Sequence, residues 1–273
     1  MERLDKILCH AGFGSRKDVK KLCHRGLVSV NSKIVTDCAF KIEIEKDELV
    51  IDGKKITLQK DIYIMMNKCK DVVCANKDGL HKTVFDFVPE DFFNKFFGGD
   101  LHCMGRLDID TEGLLILTSD GKLTHTLLSP KNHVPKTYAV GLKNALTQEQ
   151  KKEYQKIFKE GFWIDREQNE EGFVAQSADL FWILEDEDEN AKLLGKALLQ
   201  AINENSSGKS DCILTISEGK YHQVKRMFAQ LKNEVVYLKR VKIGNLVLDS
   251  NLKPGECREL SEEEINLLSY TKN

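Results

Sequence analysis

Leu4, Ile7, Leu8 and Ala11 recur at helical spacing, and Gly12 with Gly14 ends the run. Ser15 stands three residues before Asp18, a capping-box pair that opens a second helix. On that helix Val19, Leu22 and Cys23 form one face, while Lys17, Lys20, Lys21 and His24 follow i, i+3, i+4, i+7 on the other until Gly26. Val28-Ser29-Val30 then alternates into an Asn31-Ser32 turn and Lys33-Ile34-Val35, which predicts a hairpin. The charged stretch around Gly53-Lys54-Lys55 reads as a linker, and Ile62 to Lys68 begins a new strand. Further strands are predicted at Val72–Cys74, Leu114–Thr118, Tyr138–Val140, Ile213–Ile216 and Val235–Leu238, with helical stretches between them. That alternation predicts an α+β fold with a mainly antiparallel sheet. The domains are then 1–58 and 61–272, with an acidic surface insertion at about 166–210 that holds a helix and the polar loop Asn205-Ser206-Ser207-Gly208. Near the C-terminus, a helix beginning near Tyr221 turns Val224, Met227, Phe228 and Leu231 inward. His222, Lys225, Arg226 and Ala229 share its opposite face.

Composition bounds this picture without changing it. At 273 residues, 41% hydrophobic and 31% charged, the chain suits two ordinary globular domains. No apolar run approaches the roughly 18 residues of a membrane span. Met1-Glu2-Arg3-Leu4-Asp5-Lys6 has no apolar signal core behind it, so a cytoplasmic protein is expected. The eight cysteines include no Cys-x-x-Cys pair, and the closest two, Cys69 and Cys74, have four residues between them. Neither a disulfide framework nor a metal site is expected, and the thiols read as small buried hydrophobes.

Charge does change the picture. The formal net charge is −2, yet Met1–Val35 carries eight basic residues against three acidic ones, and Ile213–Lys242 carries seven against two. Glu160–Ser210 holds twelve acidic residues and four basic ones. Phosphate binding follows the local patch, because salt screens charges beyond about 10 Å. The two basic segments therefore qualify as nucleic-acid surfaces, and the acidic segment is expected to lie away from any such substrate.

Candidate chemistry concentrates in Gly105-Arg106-Leu107-Asp108-Ile109-Asp110-Thr111-Glu112-Gly113-Leu114-Leu115, where three carboxylates and an arginine lie between glycines before a buried strand. Such a loop mounts a catalytic carboxylate or simply caps a turn, and the residues alone leave both open. An Asp-x-Asp phosphatase loop fits poorly, because there the strand leads into the aspartates instead of following them. Taken alone, Tyr138 reads first as a core tyrosine of a strand and second as a stacking surface.

The same segment resembles the signature of pseudouridine synthases of the RsuA/RluB/RluF branch. Asn67-Lys68, Lys136-Thr137-Tyr138 and Glu218-Gly219-Lys220-Tyr221-His222-Gln223-Val224-Lys225-Arg226-Met227-Phe228 agree in order, although Cys69 stands where the family has proline. Arg3-Leu4-Asp5-Lys6, Gly14-Ser15-Arg16-Lys17 and Arg25-Gly26-Leu27-Val28-Ser29-Val30-Asn31 resemble an S4 RNA-binding domain. The resemblance implies isomerisation of uridine to pseudouridine in ribosomal RNA by a monomer without cofactor or metal. Tyr221-His222-Gln223 points to the small-subunit RNA, and to its uridine-516 position. By the same resemblance Asp108 is catalytic, and Lys225, with Arg226 as fallback, pairs with it. Tyr138 stacks on the target base, Arg106 fills the vacated site, and His222 contacts substrate. Arg3, Arg16, Lys17, Lys20, Lys21 and Arg25 bind RNA from the S4 domain. A large-subunit synthase of this branch and a non-catalytic assembly factor remain as alternatives.

Overall fold

A computed structural model describes residues 1–268 apart from 45, 57–58, 94–95, 97–99, 168 and 185–193. The acidic run 185–189 therefore lies outside the described residues. The backbone divides into two compact units, the first comprising Met1–Tyr63, Val88–His102 and Leu117–Gly121, the second the remainder.

In the first unit the helices end where the sequence punctuates them. Helix α1 is Leu4–His10 and α2 is Arg16–His24. Asp18 N–H donates to Ser15 Oγ and Ser15 N–H donates back to the Asp18 carboxylate, closing both halves of the capping box. Strands β1 (Val28–Val30), β2 (Lys33–Ile34), β3 (Leu49–Ile51) and β4 (Lys54–Ile56) form a sheet in the order β2-β1-β3-β4. The β1–β2 turn uses Asn31 and Ser32, both left-handed at φ 49° and 64°, the twist that a two-residue hairpin requires. Leu4, Ile7, Leu8, Val19 and Cys23 close against Val28, Val30, Leu49 and Ile51 as one apolar core. Arg16, Lys17, Lys20, Lys21 and Arg25 remain exposed. Arg3 is less available, since Asp5 holds its guanidinium through two bonds of 2.7 and 3.0 Å. This unit extends past residue 58: Gln59 bridges to Phe96, and the Thr118 hydroxyl donates to Ile62 O at 2.7 Å.

The second unit is built on a nine-stranded sheet. Its strands are β5 (Tyr63–Lys68), β6 (Glu112–Thr118), β7 (Lys136–Leu142), β10 (Asp179–Trp182), β11 (Cys212–Ile216), β12 (Val235–Ile243) and β13 (Cys257–Glu259), with two short strands off the path. A hairpin of β8 (Phe162–Ile164) and β9 (Phe173–Ala175) lies outside it. The main path runs β10-β11-β7-β12-β6-β5-β13. Pairing is antiparallel from β10 through β12 and at β5–β13, but β6 and β12 are parallel, with Gly113 opposite Arg240. Gly113 sits at φ +99°, and a Cβ there would collide with the Arg240 carbonyl. The glycine lets two central strands meet at the end of the candidate loop.

Around the sheet lie α3 (Gly121–Leu128), α4 (Gln148–Glu160), α5 (Lys196–Asn203) and α6 (Gln223–Gln230). The expected surface insertion at 166–210 is corrected here. It supplies β9, the edge strand β10 and α5, and α5 buries Ala201 and Ile202 while Ala197 is exposed. The polar loop after α5 is anchored as well. The Lys239 ammonium, 1% exposed on β12, donates to Glu204 O and Ser206 Oγ at 2.9 Å each. Burial brings Lys239 down to about 8 despite the opposing charges of Glu112 and Glu204.

Candidate active site

The site begins with a lysine that the sequence reading left without a role. Lys68 ends β5 fully buried, and its ammonium donates to four carbonyl oxygens: Cys69 at 3.0 Å, Asp108 at 3.1 Å, Ile109 at 3.3 Å and Thr111 at 2.9 Å. Three of these belong to the acidic loop, so the loop wraps around one cation. Burial pulls the Lys68 pKa below its ordinary value, against the raising influence of Cys74, Cys69, Asp110 and Asp108. Asp71 N–H donates to Ile109 O and Thr111 N–H to Asp108 O, which tightens the same turn. With its carbonyls turned inward, the loop holds the Asp108 side chain 30% exposed.

Helix α6 brings the partner. It starts after His222, a left-handed residue at φ 47°. Lys225 Nζ stands 3.0 Å from Asp108 Oδ2 and 2.6 Å from Asp110 Oδ1. For Lys225, burial lowers the pKa, but its bond to Asp110 and the charge of Asp108 outweigh that and raise it. For Asp110, burial raises the pKa, and the bond and charge of Lys225 bring it below the ordinary range. One cation thus serves two carboxylates. His222 Nε2 lies 3.8 Å from Asp108 Oδ1, its Nδ1 lies 3.8 Å from Glu167 Oε2, and its ring stacks on Tyr221. Those spacings exceed a direct hydrogen bond but leave His222 bordering the carboxylate.

The structure brings Asp108, Lys225 and His222 together, with Asp110 and Glu167 beside them. Arg106 is exposed on the loop and makes no ion pair among the described residues. Tyr138 lies on β7, 7% exposed, opposite Leu214 and Arg240 and two strands from β6. Arg226 is a correction. Expected on the open face as a fallback partner for Asp108, it is 5% exposed and donates from Nη2 to Asp165 O at 2.7 Å and Glu171 O at 2.9 Å, over the Phe173 ring. It pins the loop between β8 and β9 to α6. Arg226→Met is expected to cost about 2–3 kcal/mol in urea unfolding, because two carbonyls lose a charged donor. Stability equal to wild type would remove Arg226 from this role.

Lys136, on β7, is also structural. Its ammonium donates to Val134 O and Glu218 O, and burial with the repulsion of Arg240 brings it to about 8. Lys68 carried two sequence signals, a charge closing the apolar stretch Ile62–Met66 and its place in the Asn67-Lys68 motif, but neither gave it a role. Asp110 carried only its position two residues past Asp108.

A carboxylate on a loop held by a buried lysine, partly open and facing a second lysine on one side, can attack an electrophilic carbon or accept a proton. Among the described residues, no group of three or more His, Cys, Asp or Glu is placed to hold a metal ion, and no helix is long and apolar enough to cross a membrane. A basic helical module on the same chain as a lysine-held carboxylate is a pairing suited to chemistry on a polyanion. The family comparison says which chemistry. Residues 62–230 match the RNA pseudouridylate synthase family and residues 2–49 match the S4 domain, so the chain belongs to the RNA pseudouridylate synthase family and carries an S4 domain ahead of its synthase domain. Its class of reaction is isomerisation.

Full-length relatives agree. An uncharacterised RNA pseudouridine synthase of Bacillus subtilis (strain 168) is 41% identical over 268 residues, 98% of both chains. The ribosomal small subunit pseudouridine synthase A of Vibrio cholerae is 38% identical over 96% of this chain and 97% of its own. Its namesake in Escherichia coli (strain K12) is 36% identical over 96% and 98%. A solved pseudouridylate synthase, 35% identical, superposes with a TM-score of 0.59 over 98% of this chain and 100% of that one.

Proposed function

We propose that this chain converts one uridine of small-subunit ribosomal RNA, at the uridine-516 position, to pseudouridine, with Asp108 as the catalytic carboxylate. The observation that carries this reading is the Asp108 carboxylate 3.0 Å from Lys225 on a loop whose backbone is fixed by Lys68. Relatives named as small-subunit synthases that span nearly the whole chain support the substrate. The protein acts as a cytoplasmic monomer with an S4 domain ahead of its synthase domain.

The reaction exchanges the N1–C1′ bond for a C5–C1′ bond with no net oxidation or hydrolysis. Asp108 opens the glycosidic bond either by attacking C1′ or by taking a ribose proton. The freed uracil turns so that C5 meets C1′, and the C5 proton then leaves. Lys225 sets a positive charge 3.0 Å from the Asp108 carboxylate in a site that RNA will dry. Tyr138 stacks on the extruded base and Arg106 fills the gap it leaves in the RNA. Extrusion costs a few kcal/mol, and binding elsewhere must offset it. His222 meets the substrate beside Asp108, while Arg226 supports the site through the backbone.

Arg3, Arg16, Lys17, Lys20, Lys21 and Arg25 supply phosphate contacts from the S4 domain. Replacing Lys17, Lys20 and Lys21 by alanine is expected to weaken RNA binding and flatten its log–log salt dependence by about 2. An unchanged slope would take this face out of the interface. The functional reading is tested by mapping pseudouridines in ribosomal RNA from cells lacking this chain. Loss of the single small-subunit site supports it. Loss of a large-subunit site moves the target, and an unchanged map refutes the function.

A further inference from the structure

Uridine isomerisation has one proton still to place. Once C5 has joined C1′, the hydrogen on C5 must pass to a base, and Asp108 is already assigned to the ribose. His222 and Glu167 stand beside that carboxylate. The His222 ring is bounded on three sides. Its Nε2 lies 3.8 Å from Asp108 Oδ1, and its Nδ1 lies 3.8 Å from Glu167 Oε2. Tyr221 stacks on one face, with centroids 3.7 Å apart and planes 22° apart. The backbone there is strained: His222 is left-handed at φ 47° where α6 begins, and its side chain makes no cap bond. A residue with a Cβ keeps such a conformation only where its surroundings enforce it, and such residues cluster at working sites.

Glu167 sits in the turn between β8 and β9, where it exchanges backbone hydrogen bonds with Glu170 at 3.1 and 2.8 Å. Its Oε2 is buried and accepts no hydrogen bond among the described residues. Arg226 Nε, also buried and unbonded, lies 3.7 Å away, close enough to offset the charge and too far to bond. A buried carboxylate oxygen needs a donor, and Nδ1 of His222 is the donor that faces this one. Neither carboxylate beside the ring stands alone. Lys225 is 3.0 Å from Asp108 as Arg226 is 3.7 Å from Glu167, and Asp110 is held by Lys225 at 2.6 Å. No unpaired carboxylate therefore forces a proton onto the imidazole.

We propose that His222 is the base that takes the C5 proton, and that Glu167 is a positioning residue that holds Nδ1–H toward itself and Nε2 toward the substrate. This rests on the reading of the chain as a uridine-isomerising enzyme with Asp108 at the ribose. The C5–H bond breaks and the proton passes to Nε2. Its electron pair forms the C5–C6 double bond, and the C6–N1 double bond of the intermediate withdraws onto N1. N1 takes up one proton and the imidazolium gives one up, so neither protons nor electrons are gained. Each 3.8 Å spacing must shorten by about 1 Å to become a hydrogen bond. Catalytic hydrogen bonds are commonly long until substrate enters.

The test follows the full chain through single turnovers on ribosomal RNA transcripts whose uridines carry hydrogen or deuterium at C5. Asparagine and glycine both tolerate a left-handed backbone, so His222→Asn and His222→Gly remove the imidazole without disturbing the start of α6. Both should lower the rate about 10²-fold at near wild-type RNA affinity. Both should then process deuterated RNA more slowly than ordinary RNA, because proton loss has become the slow step. Free imidazole should restore His222→Gly, which has room for it. Glu167→Gln should lose about tenfold and show the same isotope preference, whereas a merely structural role would slow both RNAs alike. Variants that isomerise at the wild-type rate overturn the proposal. So does a slowed variant that treats the two RNAs alike, or a His222→Gly variant that imidazole leaves unchanged. Wild-type protein that isomerises no uridine overturns the functional reading, whereas an active wild type beside unaffected variants overturns only the role of His222.

Discussion

Asp108→Asn is expected to lower single-turnover pseudouridine formation at least about 10³-fold while RNA affinity stays near wild type. The amide keeps the shape of the side chain, and the Asp108 carbonyl remains bonded to Lys68. Lys225 also keeps a carboxylate partner, because Asp110 holds it at 2.6 Å. What disappears is the negative charge that must attack or deprotonate the ribose. Because Asp110 shares that lysine, Asp110→Asn is the natural control. If Asp110 were the reacting group, the two variants would exchange phenotypes. A residual rate above a tenth of wild type in Asp108→Asn would sink its assignment.

Lys68→Met is expected to cost about 2–3 kcal/mol of stability and, in the folded fraction, about 10² in rate. Methionine nearly preserves the volume, so the loss isolates the ammonium. Without it the carbonyls of Asp108, Ile109 and Thr111 have lost their common donor and turn to find water. The carboxylate of Asp108 then wanders relative to Lys225. Urea unfolding and single-turnover isomerisation measure the two effects separately. A variant with unchanged unfolding and rate would show that the loop holds its shape without the cation.

Much of the architecture was legible because its causes are local. The Ser15–Asp18 capping box, the Asn31-Ser32 turn and the alternation at Val28–Val30 each involve contacts within a few residues. The candidate carboxylate was legible for a different reason: Asp108 sits in a motif whose resemblance spans nearly the whole chain. Arg226 shows where helical spacing misleads. One residue past Lys225, it lies far enough around α6 to meet the carbonyls of Asp165 and Glu171. A hydrophobicity pattern grades a cation as outward, because it records the cost of desolvation and not the acceptors that offset it. The same blindness turned 166–210 into an insertion, although β10 there aligns Leu180 with Leu214 in the sheet. Acidic flanks masked a strand held by backbone bonds.

The sequence by itself determined the helix–hairpin module, its exposed basic side, the α+β class and the carboxylate loop, since capping, periodicity and motif are properties of neighbouring residues. The resemblance had already set Lys225 against Asp108; only the tertiary structure gave that contact its geometry and decided which other groups share the loop. Lys68 reaches it across about 40 positions, Lys225 across 117, and Cys74 across 33. Contacts at such separations arise from strand order and helix packing, and no spacing in the chain encodes them. The parallel pairing of β6 with β12 at Gly113 places Arg240 beside the end of the loop, where its Nε donates to Leu114 O, so that the Asp108 loop is held by buried cations as well as facing a lysine.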